Sequence, residues 1–248
     1  MSSEDRLRVD IQTRVASGTL RNQETAETMY LKILTICSIL ALCACGGSSS
    51  SSGYQFPLDG AFTYYEQTNE SFTLTATSGS DTYTLQITSI PGSGLSTFDG
   101  VSAYTSDQTE TLSKNGTVIS DDSQTLYYTI GPYTRVGIID ANGQETVYAN
   151  QTALPDYSLI NMTGAFDTDT TYTDSTRSVV YATGTTTWDT EEYPLQPNQP
   201  IAFACLDTVF TINGSKSPES DCYLMNTVGY IVTLQITMTV DGVTRIFK

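Results

Sequence analysis

The sequence predicts an all-β fold built from antiparallel sheets, arranged as a sandwich or a curved half-barrel. Three observations support this prediction. Apolar and polar residues alternate with a period of two in most segments after residue 71, as half-buried strands require. Tyrosine and threonine, which suit a pleated surface, are frequent there. Asn-Gly and Asp-Gly pairs, which favour two-residue hairpin turns, separate several of the segments.

The first half of the predicted domain begins at residue 54 with one short helix. Its apolar residues recur at helical spacing: Leu58, Ala61, Phe62 and Tyr65. From Phe72 the period changes to two. Alternating segments are predicted at 72–77, 83–88, 104–113, 117–120, 126–130, 135–140 and 145–149. Asn115-Gly116 and Asn142-Gly143 are predicted to form type I′ turns, in which both central residues have positive φ.

The second half is predicted to follow a boundary near 151–157, which divides the β domain 54–248. Its strand candidates are 178–187, 201–212, 222–226, 232–240 and 243–247. The clearest of them is Val232–Val240, where Val, Leu, Ile and Met alternate with Thr and Gln. Asp241-Gly242 is predicted to turn the chain into the last strand.

Charge and composition exclude several classes of function. After Cys45 the chain has 22 acidic residues and six basic ones, a balance that repels phosphate backbones and argues against a nucleic-acid partner. The chain has no histidine, which excludes Ser-His-Asp and Cys-His catalysis and histidine zinc ligands. No cofactor is expected.

An export signal is predicted at 29–44. Lys32 precedes an apolar run that ends at Ala44, which is too short to span a bilayer because a spanning helix needs ~20 residues. The motif that follows, Leu42-Cys43-Ala44-Cys45, resembles the lipobox of bacterial lipoproteins, although Cys43 occupies a position where the family usually has Ala, Ser, Thr, Val or Ile. The resemblance implies cleavage before Cys45, lipid attachment to Cys45, and a membrane partner reached through this anchor. Gly46, in place of the aspartate that retains lipoproteins at the inner membrane, implies the outer membrane.

The flanking segments complete the predicted organisation. Residues 1–28 contain five acids and no sustained apolar face, so they do not fit a signal peptide. They are interpreted as a misassigned or disordered extension, with Met29 as the expected start. Residues 45–53 are the lipidated cysteine and a flexible Gly/Ser tether.

Cys205 and Cys222 are the even pair that remains after the signal and the lipid site are removed, and they predict a disulfide in an oxidising compartment. If Asn213-Gly214 is a two-residue turn, counting outward places Cys205 opposite Cys222. Pro218 complicates this register because it cannot donate to a ladder. A longer loop between the two cysteines is the alternative.

Two groups of acids are candidate sites. Asp167, Asp169 and Asp174 offer oxygen ligands at a loop spacing that suits Ca²⁺, but they lack the glycine and terminal glutamate of an EF-hand, so a solvated turn is preferred and no metal site is predicted. Glu191-Glu192 lies beside Trp188, but neighbouring strand residues point to opposite faces. No catalytic residue is assigned.

The leading functional hypothesis is a non-enzymatic outer-membrane lipoprotein whose β domain binds a protein or glycan partner. Phe56–Ala61 and Tyr172–Thr176 are also similar to segments of uncharacterised β-rich proteobacterial lipoproteins. One alternative is an acyl-chain carrier with an open curved sheet, which needs an unfilled apolar concave face. The other is a glycoside hydrolase that uses carboxylates alone, which needs two acids in one cleft.

Overall fold

A computed structural model describes residues 53–196, 199–240 and 242–248. The predicted extension at 1–28, the predicted signal peptide at 29–44, and Cys45 with the predicted tether, except for Gly53, lie outside the described residues. Among the residues described, no helix combines the length and apolar character needed to cross a membrane. The helix and strands are α1 Leu58–Glu66, β1 Glu70–Ser78, β2 Asp81–Pro91, β3 Ser96–Phe98, β4 Val101–Lys114, β5 Thr117–Thr129, β6 Thr134–Asp140, β7 Glu145–Ala149, β8 Thr163–Tyr172, β9 Val180–Glu192, β10 Ile201–Ile212, β11 Ser215–Asn226, β12 Ile231–Val240 and β13 Val243–Phe247.

The strands form one antiparallel meander, which confirms the all-β antiparallel prediction. Each strand pairs with the next along the chain, except that β3 pairs only with β4 and β2 pairs with β4 directly. One compact unit comprises Ser51–Met238 and Arg245–Lys248. Thr239–Thr244 belongs to a second unit, in which the hydroxyls of Thr239 and Thr244 are 3.5 Å apart.

The sheet of the first unit is nearly closed and barrel-like. Its first strand is bonded to the end of the chain: the N–H of Thr75 donates to the carbonyl of Lys248 at 3.0 Å, and the N–H of Lys248 donates back at 3.2 Å. These bonds satisfy backbone groups that β1 would otherwise expose at the edge of the sheet. Of the two predicted arrangements, the curved sheet is therefore the one that forms.

Strand alternation decides which side chains enter the interior. In β1 and β2 the buried residues face one another in register, with Leu74 opposite Leu85 and Ala76 opposite Tyr83. The intervening threonines of β1 are exposed. The predicted period of two is confirmed in these strands, because inward and outward positions alternate along each of them.

Helix α1 packs inside the curled sheet and fills part of its interior. Its predicted apolar stripe is confirmed, since Leu58, Ala61, Phe62 and Tyr65 are all buried. The Phe62 ring is 5.9 Å from the Tyr133 ring and 4.9 Å from the Tyr223 ring. The tyrosines lie just before β6 and in β11, so one helical side chain contacts two distant parts of the sheet.

Asn115-Gly116 and Asn142-Gly143 both lie in hairpins, as predicted, but only the first pair has the geometry of a type I′ turn. Asn115 and Gly116 both have positive φ, with values of 51° and 80°, as a type I′ turn requires. At Asn142-Gly143 only the glycine has positive φ. The cause is Asp140, whose Oδ1 accepts the N–H groups of Asn142 and Gln144 at 2.8 Å. This side chain stabilises a wider turn than the dipeptide alone predicts.

The segment at 151–157, predicted as a boundary between two halves, joins two strands of one continuous sheet. β7 pairs with β8 from Glu145↔Tyr172 to Ala149↔Thr168. Leu154 is buried in the main core cluster. Ser158, just after the segment, exchanges two backbone hydrogen bonds with Phe56 at 2.8 and 2.9 Å. The loop is thus packed against the residues that lead into α1.

The Cys205–Cys222 pair follows the register counted from Asn213-Gly214. The two residues are directly opposed in the β10–β11 hairpin, with their sulfur atoms 2.08 Å apart. Both cysteines belong to a small apolar cluster with Phe203 and Leu224. Pro218 is accommodated because it precedes the stretch in which β11 pairs with β12, which runs from Ser220 to Met225.

Replacing both cysteines with serine should lower the free energy of unfolding by about 3 kcal/mol, because the bridge closes a loop with a separation of 17 residues. Urea unfolding of the wild type and the double variant would measure this difference. Peptide mapping after alkylation of the unfolded, unreduced protein should find neither Cys205 nor Cys222 modified. Alkylation of both residues would refute the bridge.

Candidate functional site

A cavity of about 180 Å³, partly open to solvent because most of its lining side chains are only half-buried, lies beyond the C-terminal end of α1. Strands β2, β4 and β5 form one wall, and β11 and β12 form the other. The lining residues are Tyr65, Ile87, Gln108, Thr109, Glu110, Asp122, Gln124, Glu219, Asp221, Tyr223, Leu234 and Ile236. Four of these residues are acidic, and none is lysine or arginine. The volume corresponds to about six waters at ~30 Å³ each.

Two of the carboxyls enter the cavity through the alternation of β11. Tyr223 faces the interior, where its ring lies 5.3 Å from that of Tyr65. Residues two and four positions earlier in a strand share its face, so Asp221 and Glu219 line the cavity. The side chain of Cys222 lies on the opposite face of β11. The same strand therefore carries the disulfide on one face and two acids on the other.

The opposing wall contributes Glu110 from β4. Burial, and to a lesser extent the charge of Asp221, raise the pKa of Glu110 to about 7. Burial also raises the pKa of Asp221 to about 6, despite an opposing effect of Arg135. The pKa of Glu219 is raised by burial, then by Asp221 and Glu110. Acids from facing walls of the sheet therefore repel one another across the cavity.

Glu66 forms a second layer behind the lining residues. It is buried at the last position of α1, and burial raises its pKa to about 7. Gln108 Nε2 donates to both carboxylate oxygens at 3.2 Å, and Ser89 Oγ donates at 3.4 Å. Gln124 Nε2 in turn donates to Gln108 Oε1 at 2.9 Å. The two glutamines connect the cavity to this carboxyl.

Tyr65 is the least exposed of the polar lining residues. The residue is only 4% exposed. Its pKa is raised by burial and by the nearby charges of Glu66, Asp221 and Glu70.

Arg135 lies near the cavity but its charge is already engaged. Its Nε and Nη2 donate to the two oxygens of Asp167 at 2.8 and 2.7 Å, and Nη2 also donates to Thr186 Oγ1. The guanidinium is 4.4 Å from the Tyr148 ring centre and 5.1 Å from that of Phe166. This bidentate, stacked geometry holds Arg135 on Asp167, so the acids of the cavity lack a direct cationic partner from it.

The structure separates the three acids considered as calcium ligands. Asp167 and Asp169 are buried on β8, and Arg135 occupies both oxygens of Asp167. Asp174 lies in the exposed turn after β8, where its Oδ1 accepts the N–H of Thr176 at 2.8 Å. Across residues 53–196, 199–240 and 242–248, no three acidic or cysteine side chains are grouped as a metal ion would require.

The aromatic and acidic residues near the end of β9 are also not brought together. Trp188 is buried in the main core cluster, whereas Glu191 and Glu192 are exposed. Cys205 and Cys222 lie on the outer face of the sheet, away from the cavity. Cys45 is outside the described residues. None of the site candidates that lie among the described residues lines the cavity.

Two elements contain a sequence pattern from which the inward position of these acids could have been predicted. Glu66 continues the apolar stripe of α1, eight residues after Leu58, where a helix facing a core places an inward side chain. Glu219 and Asp221 lie on the same face of β11 as Tyr223, because they are two and four residues away from it.

Comparisons with protein-family models, curated proteins and solved structures find no match to this chain.

The raised pKa values predict that stability falls as pH rises. Glu66, Glu110, Glu219 and Asp221 bind protons more tightly in the folded state than in the unfolded state. Ionisation therefore destabilises the fold across the window from the ordinary carboxyl pKa, about 4, up to about 7. Thermal unfolding between pH 4.5 and 7.5 should show a falling midpoint.

Glu66→Gln should flatten this dependence, because the amide keeps the shape of the side chain without the charge. Asp156→Asn, at an exposed turn position, should leave the slope unchanged. Each loss of about 1 kcal/mol moves the midpoint by ~2–4 °C in a domain of 150–250 residues. A midpoint that rises from pH 5 to 7, or an equal slope in Glu66→Gln, would contradict the assignment.

Proposed function

We propose that this chain is a lipid-anchored envelope protein whose β domain is a non-catalytic binding module for a protein or glycan partner. The observation that carries the binding function is the acidic cavity inside the sheet. Glu110, Glu219 and Asp221 line it from opposite walls. Carboxyl groups that are buried without a cation destabilise a fold. Their presence around one partly open cavity beside α1 supports a ligand-binding role.

Two features support placement in the envelope. The motif Leu42-Cys43-Ala44-Cys45 resembles a lipobox and implies attachment to the outer membrane through Cys45. The paired Cys205 and Cys222 suit an oxidising compartment, since cytosolic thiols are kept reduced. A tether of glycine and serine at 45–53 would let the domain move relative to the bilayer.

The lining of the cavity favours a polar ligand over an acyl chain. A carrier of acyl chains needs a continuous apolar surface, since each buried methylene contributes about 0.8 kcal/mol. Here Ile87, Leu234 and Ile236 supply apolar surface, but four acidic residues share the same small volume. An apolar chain placed there would desolvate these carboxyls without offering them any hydrogen bond.

A carboxylate-based glycoside hydrolase is the second candidate, because four half-buried acids and two tyrosines line one cavity. Such an enzyme needs one protonated and one ionised carboxyl, held apart by environments that shift their pKa values in opposite directions. In this cavity the pKa values of Glu110, Glu219 and Asp221 are all shifted upward. This common direction favours binding over hydrolysis.

One comparison separates binding from hydrolysis. The wild type, a Glu110→Gln/Asp221→Asn double variant and Asp107→Asn would be tested on an array of envelope glycans and for cleavage of nitrophenyl glycosides. Asp107 is the matched control, since it lies on the same strand as Glu110 but in the opposite phase and is exposed. We expect glycan binding that only the double variant loses, and no turnover. Turnover that only the double variant loses would replace binding with hydrolysis.

Lipidation is tested at the cysteine itself. Cys45→Ser should abolish labelling by radioactive palmitate and leave the precursor unprocessed, because the acylated sulfur is lost. Cys43→Ser should still be labelled and processed. Labelling that persists in Cys45→Ser and disappears in Cys43→Ser would show that the other cysteine carries the lipid.

A further inference from the structure

We propose that one end of the β domain docks onto the lipid bilayer through a patch of exposed apolar side chains. The inference rests on the proposed lipid attachment at Cys45 and goes beyond it, because it gives the domain its own contact with the membrane surface. The side chains of the patch are between 39% and 71% exposed. The entry patch, as it is called below, consists of Tyr54, Tyr157, Leu159, Met162, Val228 and Tyr230.

Three segments that are far apart in sequence meet at this end of the domain. The N–H of Phe56 donates to the carbonyl of Ser158 at 2.9 Å, and the N–H of Ser158 donates back at 2.8 Å. These bonds place the loop 155–162 beside the first described residues. A Cβ placed on Gly229 would lie 3.1 Å from Pro57 Cγ, so the turn between β11 and β12 packs on the start of α1. The entry patch therefore lies around the point at which the chain enters the domain.

The segments that carry the entry patch are almost free of charge. In 53–57, 150–162 and 227–230 the only charged side chain at neutral pH is Asp156, whereas the whole chain has a formal net charge of −16. Single exposed apolar residues are common on protein surfaces, but a group of them marks an interaction site. Tyrosine in particular is enriched at membrane–water interfaces, where its ring enters the apolar region and its hydroxyl stays hydrated. This composition suits the headgroup region of a bilayer.

The length of the predicted tether selects the bilayer as the surface that covers the patch. Residues 46–53 separate Cys45 from Tyr54, and even a fully extended segment of this length reaches only about 30 Å. A lipid on Cys45 therefore keeps the entry patch within that distance of the membrane. Tethering makes contact with the bilayer intramolecular, which raises the effective concentration of membrane at the patch. Apolar side chains held there are stabilised by entering the headgroup region.

The opposite end of the same strands provides matched controls. β9 ends beside Met162, whose carbonyl accepts the N–H of Thr190 at 2.9 Å. The strand has 13 residues and is therefore roughly 40 Å long. Val179 and Val180 lie at its other end and are each 55% exposed. They are as apolar and accessible as the patch, but they should remain in water when the patch contacts the bilayer.

The experiment measures contact between one added indole ring and bromine atoms in the bilayer. The full chain is produced in a bacterium, its palmitate label is verified, and it is reconstituted into phosphatidylethanolamine vesicles. A second set of vesicles contains lipid brominated near the headgroup end of its acyl chains. After the wild-type emission from Trp188 is subtracted, Tyr157→Trp should show about twofold quenching by bromine, because an interfacial side chain lies ~5–10 Å deep. Val179→Trp should show none.

A charge variant tests whether the patch itself makes the contact. Adding Met162→Asp and Val228→Asp to Tyr157→Trp should abolish the quenching, because a charged side chain is costly to place in the apolar region. Adding Val179→Asp and Val180→Asp to Tyr157→Trp introduces the same charge at the opposite end and should leave the quenching unchanged. This second variant controls for the effect of added charge alone.

Three results would overturn the inference: equal quenching in Tyr157→Trp and Val179→Trp, no quenching in palmitate-labelled Tyr157→Trp, or quenching that survives both aspartates in the patch. Emission that shifts to shorter wavelength without quenching would show that a second copy or another protein covers the patch, and would overturn it too. Because the palmitate label is verified first, a labelled protein without quenching rejects the docking alone. An absent label rejects the proposed anchoring, and the docking with it.

Discussion

The packing of one short helix inside a curled sheet is the constraint on which the rest of the structure depends. A nearly closed sheet must fill its interior, and Phe62 does so by contacting both Tyr133 and Tyr223. Polar groups fix the same helix in place: Asp59 Oδ1 accepts the N–H of Tyr133 at 2.6 Å, and the carbonyl of Glu66 accepts the Tyr128 hydroxyl at 3.0 Å. The cavity lies beyond the last residue of α1, where the helix no longer fills the space inside the sheet.

The sheet contains two groups of charged side chains. In one, opposite charges are paired, and in the other, like charges face each other. Arg135 and Asp167 form a bidentate pair that also engages Thr186, so both charges are compensated where they are buried. Glu110 and Asp221 instead oppose one another, and each is raised in pKa by burial. The first arrangement is a structural ion pair, whereas the second places like charges on facing walls of one cavity.

Local pattern was sufficient to predict the elements but not the site. The stripe beginning at Leu58 predicted α1, and alternation predicted most strands, because each signal lies within about ten residues. The cavity depends on Glu66, Glu110 and Asp221, which are far apart in sequence and approach one another only when the meander curls. The sequence of β4 does not show which face of the strand is buried, because polar residues occupy both of its faces around Gln108 and Glu110. Asp140 altered a turn through a side-chain bond that the Asn-Gly rule does not include.

The β10–β11 hairpin links the outer face of the sheet to the cavity. Repulsion between Asp221 and Glu110 acts to move β11 away from the opposing wall. Adjacent to Asp221, Cys222 is paired with Cys205 on the outer face, and Leu224 packs with them. Because neighbouring strand residues point to opposite faces, this covalent link can hold β11 in position without occupying the cavity. The bridge thus stabilises the strand at the point where the charges of the site oppose closure of the sheet.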